Sequence, residues 1–293
     1  MGRIFKSLFL ILRPKHWIKN LFIFAGPFFS LNFFVYDNIK KLSLGFICWC
    51  GISSATYIFN DIIDRKEDAF HTLKKRRPIS SGLISTNLAW IVFILLSLFF
   101  FLIAFCIKTS FGYLILAYFL INLLYSLYLK HVFILDVMCI SFGFILRVIS
   151  GAMLINVGFS EWLIMCTLLL SLLLGFGKRQ EEITSLEKVA MHHRRVLKDY
   201  DVGFLQHIPY VLVSSTIVCY MLYTVSQEAV RKFGTKNLIY TTVFVIYGLF
   251  RYVYVVNEKK KGADPTQIIF QDLPSVINIL LWIMVSGFII YLL

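Results

Sequence analysis

The sequence predicts an all-α polytopic membrane protein that crosses the bilayer nine times. Composition is the first reason. Of the 293 residues, 59% are apolar or aromatic and 15% are charged, with a mean hydropathy of +0.78. A soluble domain has about 45–50% apolar and about 25% charged residues. Pattern is the second reason. The apolar residues form continuous runs of about 20, the length a helix needs to cross roughly 30 Å of hydrocarbon, not the alternation of a membrane-barrel strand. Charge placement is the third. A net charge of +13 would suggest nucleic acid on a soluble chain, but cytoplasmic loops of membrane proteins collect Lys and Arg, and no nucleic-acid partner is expected.

The runs lie near 18–36, 42–60, 87–107, 111–129, 132–155, 160–177, 207–227, 237–256 and 274–293. The first has Lys19 and Asn20 inside its start. Pro209 is expected in the first turn of the seventh. Asp272-Leu273-Pro274 supplies a carboxylate cap and a first-turn proline for the ninth. The polar stretches 61–86, 178–206 and 257–273 are too short for a soluble domain, so 1–293 reads as a single transmembrane domain. The six cysteines all sit in apolar runs without a CxxC, which argues against a disulfide framework or a zinc site. Only six apolar residues precede Arg13-Pro14, too few for a signal-peptide core. With the N-terminus cytoplasmic, 21 Lys and Arg fall on cytoplasmic segments and 6 on outer ones, so the expected orientation is N-in, C-out.

The polar residues cluster on the cytoplasmic side. The second run ends in Asn60-Asp61-Ile62-Ile63-Asp64-Arg65-Lys66-Glu67-Asp68. On a helix, Tyr57, Asn60 or Asp61, Asp64 and Asp68 share one face. Four acids so close repel one another unless a cation sits between them. Oxygen ligands with an Asn carbonyl suit Mg²⁺ shared with substrate phosphates; a solvated acidic helix end is the competing account. Lys74-Lys75-Arg76-Arg77 follows. It reads as a membrane anchor or, beside a Mg²⁺ site, as a diphosphate grip in which Lys74 and Arg77 are the expected contacts.

Other cations are harder to explain as anchors. Lys19 lies deep in the first run, although a lysine can snorkel. Tyr128 and Lys130 close the fourth run. Arg147 lies well inside the fifth, where an arginine normally faces a cavity or a partner; a structural pair with a carboxylate is the alternative. Lys178 and Arg179 end the sixth at the depth of the acid cluster. The adjacent His192 and His193 would face different sides of a helix and are not expected to bind a metal. The outer loops hold only isolated acids, Asp37, Glu161 and Glu228. A one-sided cleft with Mg²⁺ ligands, phosphate-binding cations and apolar walls reads as an enzyme joining a soluble phosphorylated donor to a lipid.

Six short patterns then resemble the UbiA superfamily of intramembrane prenyltransferases. They are Arg13-Pro14-x-x-Trp17-x-Lys19-Asn20, Asn60-Asp61-x-x-Asp64-x-x-x-Asp68, Arg77-Pro78-Ile79-x-x-Gly82, Tyr125-Ser126-x-x-Leu129-Lys130-His131, Arg147-Val148-Ile149-Ser150-Gly151-Ala152 and Gly177-Lys178-Arg179. They run in order through nearly the whole chain. The resemblance implies nine helices around a central cavity that faces the cytoplasm. Within the superfamily it points to the decaprenyl-phosphate phosphoribosyltransferase branch, which supplies cell-wall biosynthesis. Members that use an allylic diphosphate carry a second Asp-rich motif after the sixth helix, where this chain has Lys178-Arg179-Gln180-Glu181-Glu182.

What the resemblance implies is a Mg²⁺-dependent membrane phosphoribosyltransferase. It would move a 5-phosphoribosyl group from phosphoribosyl diphosphate (PRPP) to a polyprenyl phosphate in a bacterial inner membrane and release diphosphate. Asn60, Asp61, Asp64 and Asp68 would hold the metal, with the three aspartates catalytic. Lys19, Tyr57, Lys74, Arg77, Tyr128 and Lys130 would bind the donor, and Arg147, Lys178 and Arg179 the lipid phosphate. A 4-hydroxybenzoate-type aromatic prenyltransferase and a polyprenyl-sugar carrier or flippase are the alternatives. A homo-oligomer is left open.

Overall fold

The computed structural model describes residues 2–70, 74–185, 199–258 and 271–292. His192 and His193 lie outside them. Among the described residues all regular structure is helical, and eight helices are long and apolar enough to cross a membrane. The chain is an integral membrane protein. Its contacts divide it into two compact units, Met1–Phe159 and Ser160–Leu293.

The first unit contains α1 (Gly2–Ile11), a 3₁₀ helix (Pro14–Phe24), α2 (Ala25–Phe28), α3 (Tyr36–Ile63), α4 (Arg65–Phe70), α5 (Thr86–Ile107), α6 (Thr109–Leu127) and α7 (Leu135–Leu154). At about 1.5 Å per residue, the 28 residues of α3 reach roughly 42 Å. That exceeds the hydrocarbon thickness, so its polar end can project beyond the apolar layer. The middle of α3 is rich in small residues. Gly51, Ser53, Ser54, Ala55 and Thr56 are all buried, which permits the close helix approach that drives packing in lipid. A Cβ on Gly51 would fall 2.0 Å from the Phe100 ring of α5. The outward stripe of α5, Ile91, Leu95, Leu98 and Leu102, is exposed and has the composition lipid requires.

The first expected span differs from the others. It is a 3₁₀ helix of 11 residues followed by the four-residue α2. With three residues per turn, positions i and i+3 align. Trp17, Asn20 and Ile23 therefore form one row. Trp17 Nε1 donates to Ser54 Oγ (3.0 Å), Asn20 Nδ2 donates to Ser53 Oγ (3.2 Å), and Ile23 is fully buried. An α-helix would rotate these three apart. The tighter helix also rises about 2.0 Å per residue, so 11 residues cover roughly 22 Å. The segment docks on α7 at Gly151, where a Cβ would stand 1.8 Å from the carbonyl oxygen of Ile23. Only glycine admits that approach.

The second unit contains α8 (Glu161–Ser185), α9 (Val202–Val225), the short α10 (Gln227–Phe233), α11 (Thr242–Glu258) and α12 (Leu273–Leu292). Helix α8 outruns its expected apolar end, so Lys178–Glu182 are helical and not in a loop. Helix α9 starts at Val202, capped by Asp201, whose carboxylate accepts from Phe204 N at 3.0 Å. Pro209 therefore lies inside α9 and not in its first turn. The early polar turn, capped by Asp201, was too weak an apolar signal to be read as helix. Asp272 does cap α12, accepting from Ser275 N at 3.2 Å, and also takes both Nε and Nη2 of Arg251 at 2.9 Å each. That fork ties α11 to the start of α12.

Candidate active site

The acid cluster sits where α3 gives way to α4. Asp64 closes α3, its N–H donating to Asn60 O at 2.9 Å, and the N–H of Asp68 donates to Asp64 O at 2.8 Å. The chain thus keeps a helical path across the junction. Asp61 and Asp68 are buried, and Asp64 is partly buried.

Three basic side chains meet the three carboxylates. Asp61 Oδ1 accepts from both Arg13 Nη2 and Arg77 Nη1, the latter at 2.9 Å. The same Arg77 Nη1 donates to Asp68 Oδ2 at 2.5 Å. Lys130 Nζ pairs with Asp64 Oδ1. Asn60 Nδ2 donates to Asp64 Oδ2 at 2.9 Å, which leaves its carbonyl as the oxygen donor. Burial pushes the Asp68 carboxyl above its ordinary value, opposed by Arg77 and Lys74 and reinforced by Asp61 and Asp64. Guanidinium and ammonium groups thus offset the mutual repulsion of the acids.

Local packing aims these cations. Arg77 opens a turn in which Ser81 N donates to Arg77 O (2.8 Å) and Ile84 N to Pro78 O (3.0 Å), with Gly82 at φ +78°. Ile79 and Ile84 are buried in a cluster with Ile11, Ile58, Phe59 and Ile62, a burial of about 1.5–3 kcal/mol per side chain. That anchor turns Arg77 back onto α3. Lys130 is buried on the one-turn 3₁₀ helix Leu129–His131 after α6. Tyr57 packs between the Arg13 guanidinium, 5.1 Å from its ring centre, and the His16 ring at 5.2 Å.

Of the residues expected from sequence, the first unit brings together Asn60, Asp61, Asp64, Asp68, Tyr57, Arg77 and Lys130, with Lys74 near Asp68. Lys19 is partly buried on the 3₁₀ helix beside Asn20. Tyr128 is exposed and joins none of the ion pairs. Arg179 is buried in the second unit and bonds Glu182 at 2.6 Å, while Lys178 is partly buried.

Arg147 is buried on α7. Its Nε donates to Asn20 Oδ1 (2.8 Å), Nη1 to Gly143 O (2.7 Å) and Nη2 to Tyr118 OH (3.1 Å). Its guanidinium lies 4.8 Å from the Trp49 ring and 4.7 Å from that of Tyr118. Every nitrogen is engaged within the protein, and aromatic faces rather than a carboxylate surround the charge. With Ser150 accepting from Trp49 Nε1 at 2.8 Å and Gly151 receiving Ile23, the Arg147–Ala152 pattern is a dock for the 3₁₀ helix.

Arg13 is the member that the sequence reading missed. A basic residue just before a membrane segment looks like an anchor. Its backbone lies at φ 52° and ψ 58°, a left-handed region that costs a non-glycine residue about 1–2 kcal/mol.

A hard cation suits this donor set. Among the described residues no three of His, Cys, Asp and Glu are grouped to cage a metal by themselves. Mg²⁺ ordinarily uses one or two carboxylates plus substrate phosphates and waters. Asp61 and Asp68, converging on one Arg77 nitrogen, already hold positive charge between them.

The chain is similar to known proteins along nearly its whole length. The model of the UbiA prenyltransferase family matches residues 21–273. Decaprenyl-phosphate phosphoribosyltransferase of Mycolicibacterium smegmatis is 26% identical over 295 residues, covering 97% of this chain and 92% of the relative. That of Corynebacterium glutamicum is 27% identical, covering 93% and 83%. Among solved structures, a UbiA homolog from Archaeoglobus fulgidus bound to GPP and Mg²⁺ aligns with a TM-score of 0.71 at 19% identity, over 97% of this chain and 98% of that one. A digeranylgeranylglyceryl phosphate synthase structure aligns at 0.68 and 18%, over 98% and 99%.

Proposed function

Because the chain belongs to the UbiA prenyltransferase family, we propose that it is a Mg²⁺-dependent membrane enzyme that transfers a 5-phosphoribosyl group from PRPP to a polyprenyl phosphate. The observation that carries the reading is the joining of three carboxylates to three cations at the end of α3. A diphosphate–metal donor needs both kinds of group in one place. The nearly full-length likeness to two phosphoribosyltransferases supports it, as does Lys178-Arg179-Gln180-Glu181-Glu182 in place of a second Asp-rich motif. The Lys and Arg distribution favours a site open to the cytoplasm of a bacterial inner membrane, where PRPP is soluble.

Asn60, Asp61, Asp64 and Asp68 would hold Mg²⁺, which supplies Lewis-acid stabilisation of the diphosphate leaving group. Arg77, Lys74, Lys130 and Lys19 bind donor phosphates, and Tyr57 borders the donor. The bond from ribose C1 to the diphosphate oxygen breaks, its electron pair leaving with diphosphate, as a lipid-phosphate oxygen bonds to C1. The sugar carries oxocarbenium character between the two events. The lipid phosphate is ionised near neutral pH, so it needs positioning rather than a base, and Lys178 and Arg179 are assigned that task.

Purified protein with PRPP, a short polyprenyl phosphate and Mg²⁺ tests the reading. Diphosphate release is expected only when both substrates are present. Transfer from a prenyl diphosphate to an aromatic acid, with none from PRPP, would replace it with the aromatic reading.

A further inference from the structure

The carboxylates are covered unequally. On Asp61 the acid is inside and the cations outside: its side chain is 2% exposed, those of Arg13 and Arg77 18% and 24%. On Asp64 the order reverses, with the carboxylate 19% exposed and Lys130 6%. Asp64 therefore offers an accessible oxygen, whereas both guanidinium groups stand on the open side of Asp61 and share its Oδ1.

We propose that Arg13 and Arg77 form an internal counter-ion clamp on Asp61, displaced by a divalent cation only when an anionic diphosphate is there to receive the two guanidinium groups. Metal and diphosphate then bind as a coupled pair, and Arg13 joins Arg77 as a donor-binding residue. The proposal rests on the function proposed above and adds the coupling and the role of Arg13.

Charge is the reason. A dication brought to Asp61 while two guanidinium groups remain on the same oxygen faces two positive neighbours at contact distance, where like-charge repulsion is strong at a partly buried site. Moving the guanidinium groups onto a diphosphate removes that repulsion and forms charge-assisted hydrogen bonds. Each ligand thus improves the affinity of the other, and the coupling is reciprocal. The left-handed backbone at Arg13 and its cation–π contact with Tyr57 (5.1 Å) hold the guanidinium at the rim of the acid cluster.

Two titrations on the intact protein in detergent test this: Mn²⁺ alone, by electron paramagnetic resonance, and inorganic diphosphate in saturating Mg²⁺, by calorimetry. In the wild type, Mn²⁺ alone should bind weakly and magnesium diphosphate tightly. Arg13→Gln should tighten Mn²⁺ binding by about tenfold and weaken diphosphate binding by about tenfold, a size typical of coupled sites. Opposite signs are the signature, because loss of structure would weaken both. Arg13→Lys keeps the charge and should leave Mn²⁺ binding weak, which provides a second variant if Arg13→Gln does not fold. Unchanged Mn²⁺ affinity in folded Arg13→Gln, with diphosphate bound normally by the wild type, would overturn the clamp alone. A wild type that binds no magnesium diphosphate would overturn the proposed function itself.

Discussion

Arg147 and Asn20, 127 positions apart in sequence, are joined by a 2.8 Å hydrogen bond in the interior of the first unit. The bond ties α7 to the 3₁₀ helix that carries Lys19, one residue from Asn20. Arg147 thus braces the element that carries Lys19.

Arg147→Ala should destabilise the protein by about 3–5 kcal/mol, because it opens a cavity and leaves Asn20, Tyr118 and Gly143 O short of partners. Arg147→Lys should recover little, since an ammonium cannot reproduce the planar fork between two rings. Thermal melting in detergent measures both. A stable Arg147→Ala protein with weakened use of lipid substrate would instead place Arg147 on the lipid phosphate.

Gly151→Ala should also destabilise. Alanine gains about 1 kcal/mol of helix propensity over glycine, but its Cβ would lie 1.8 Å from Ile23 O, and relief requires the 3₁₀ helix to move. Overpacking of this kind costs about 1–3 kcal/mol. A lower melting temperature with weaker donor binding is expected; an unchanged Kd for PRPP would show that Gly151 packing does not reach the site.

Ile79→Ala removes no charge, yet it loosens the turn that aims Arg77. A loss of about 2–4 kcal/mol in local stability is expected. It should show as faster hydrogen exchange over residues 77–84 and a higher KM for PRPP. Unaltered exchange there would mean that the turn is held by its hydrogen bonds alone.

Asp64→Asn keeps the size of the side chain and removes the charge facing Lys130. Turnover should fall by about 10²–10³-fold, the scale for loss of one electrostatic stabiliser at a reacting centre, with the protein still monodisperse. Near-normal turnover in saturating Mg²⁺ would remove Asp64 from the proposed metal site.

The sequence was informative where chemistry and local geometry coincide. Asp61, Asp64 and Asp68 recur at helical spacing after an apolar run, so both their shared face and their depth could be read. Lys130 and Arg77 stood out as cations near the same boundary. The first segment was harder, because hydropathy reports an apolar stretch without distinguishing a 3₁₀ helix from an α-helix. The period of three in Trp17, Asn20 and Ile23 is ambiguous over only seven residues. The partners of Arg147, namely Asn20, Tyr118 and Trp49, come from three distant segments, and only tertiary packing brings them together. Arg13 was hidden by the abundance of Lys and Arg at membrane boundaries. Only the pairing with buried Asp61 distinguishes it.

The most direct test of the proposed function follows the ribose. With PRPP labelled in the sugar ring, polyprenyl phosphate and Mg²⁺, the label should pass into the organic phase on extraction as diphosphate accumulates in water, and Asp64→Asn should stop both. Label that stays in the aqueous phase while the protein turns over another donor would contradict phosphoribosyl transfer.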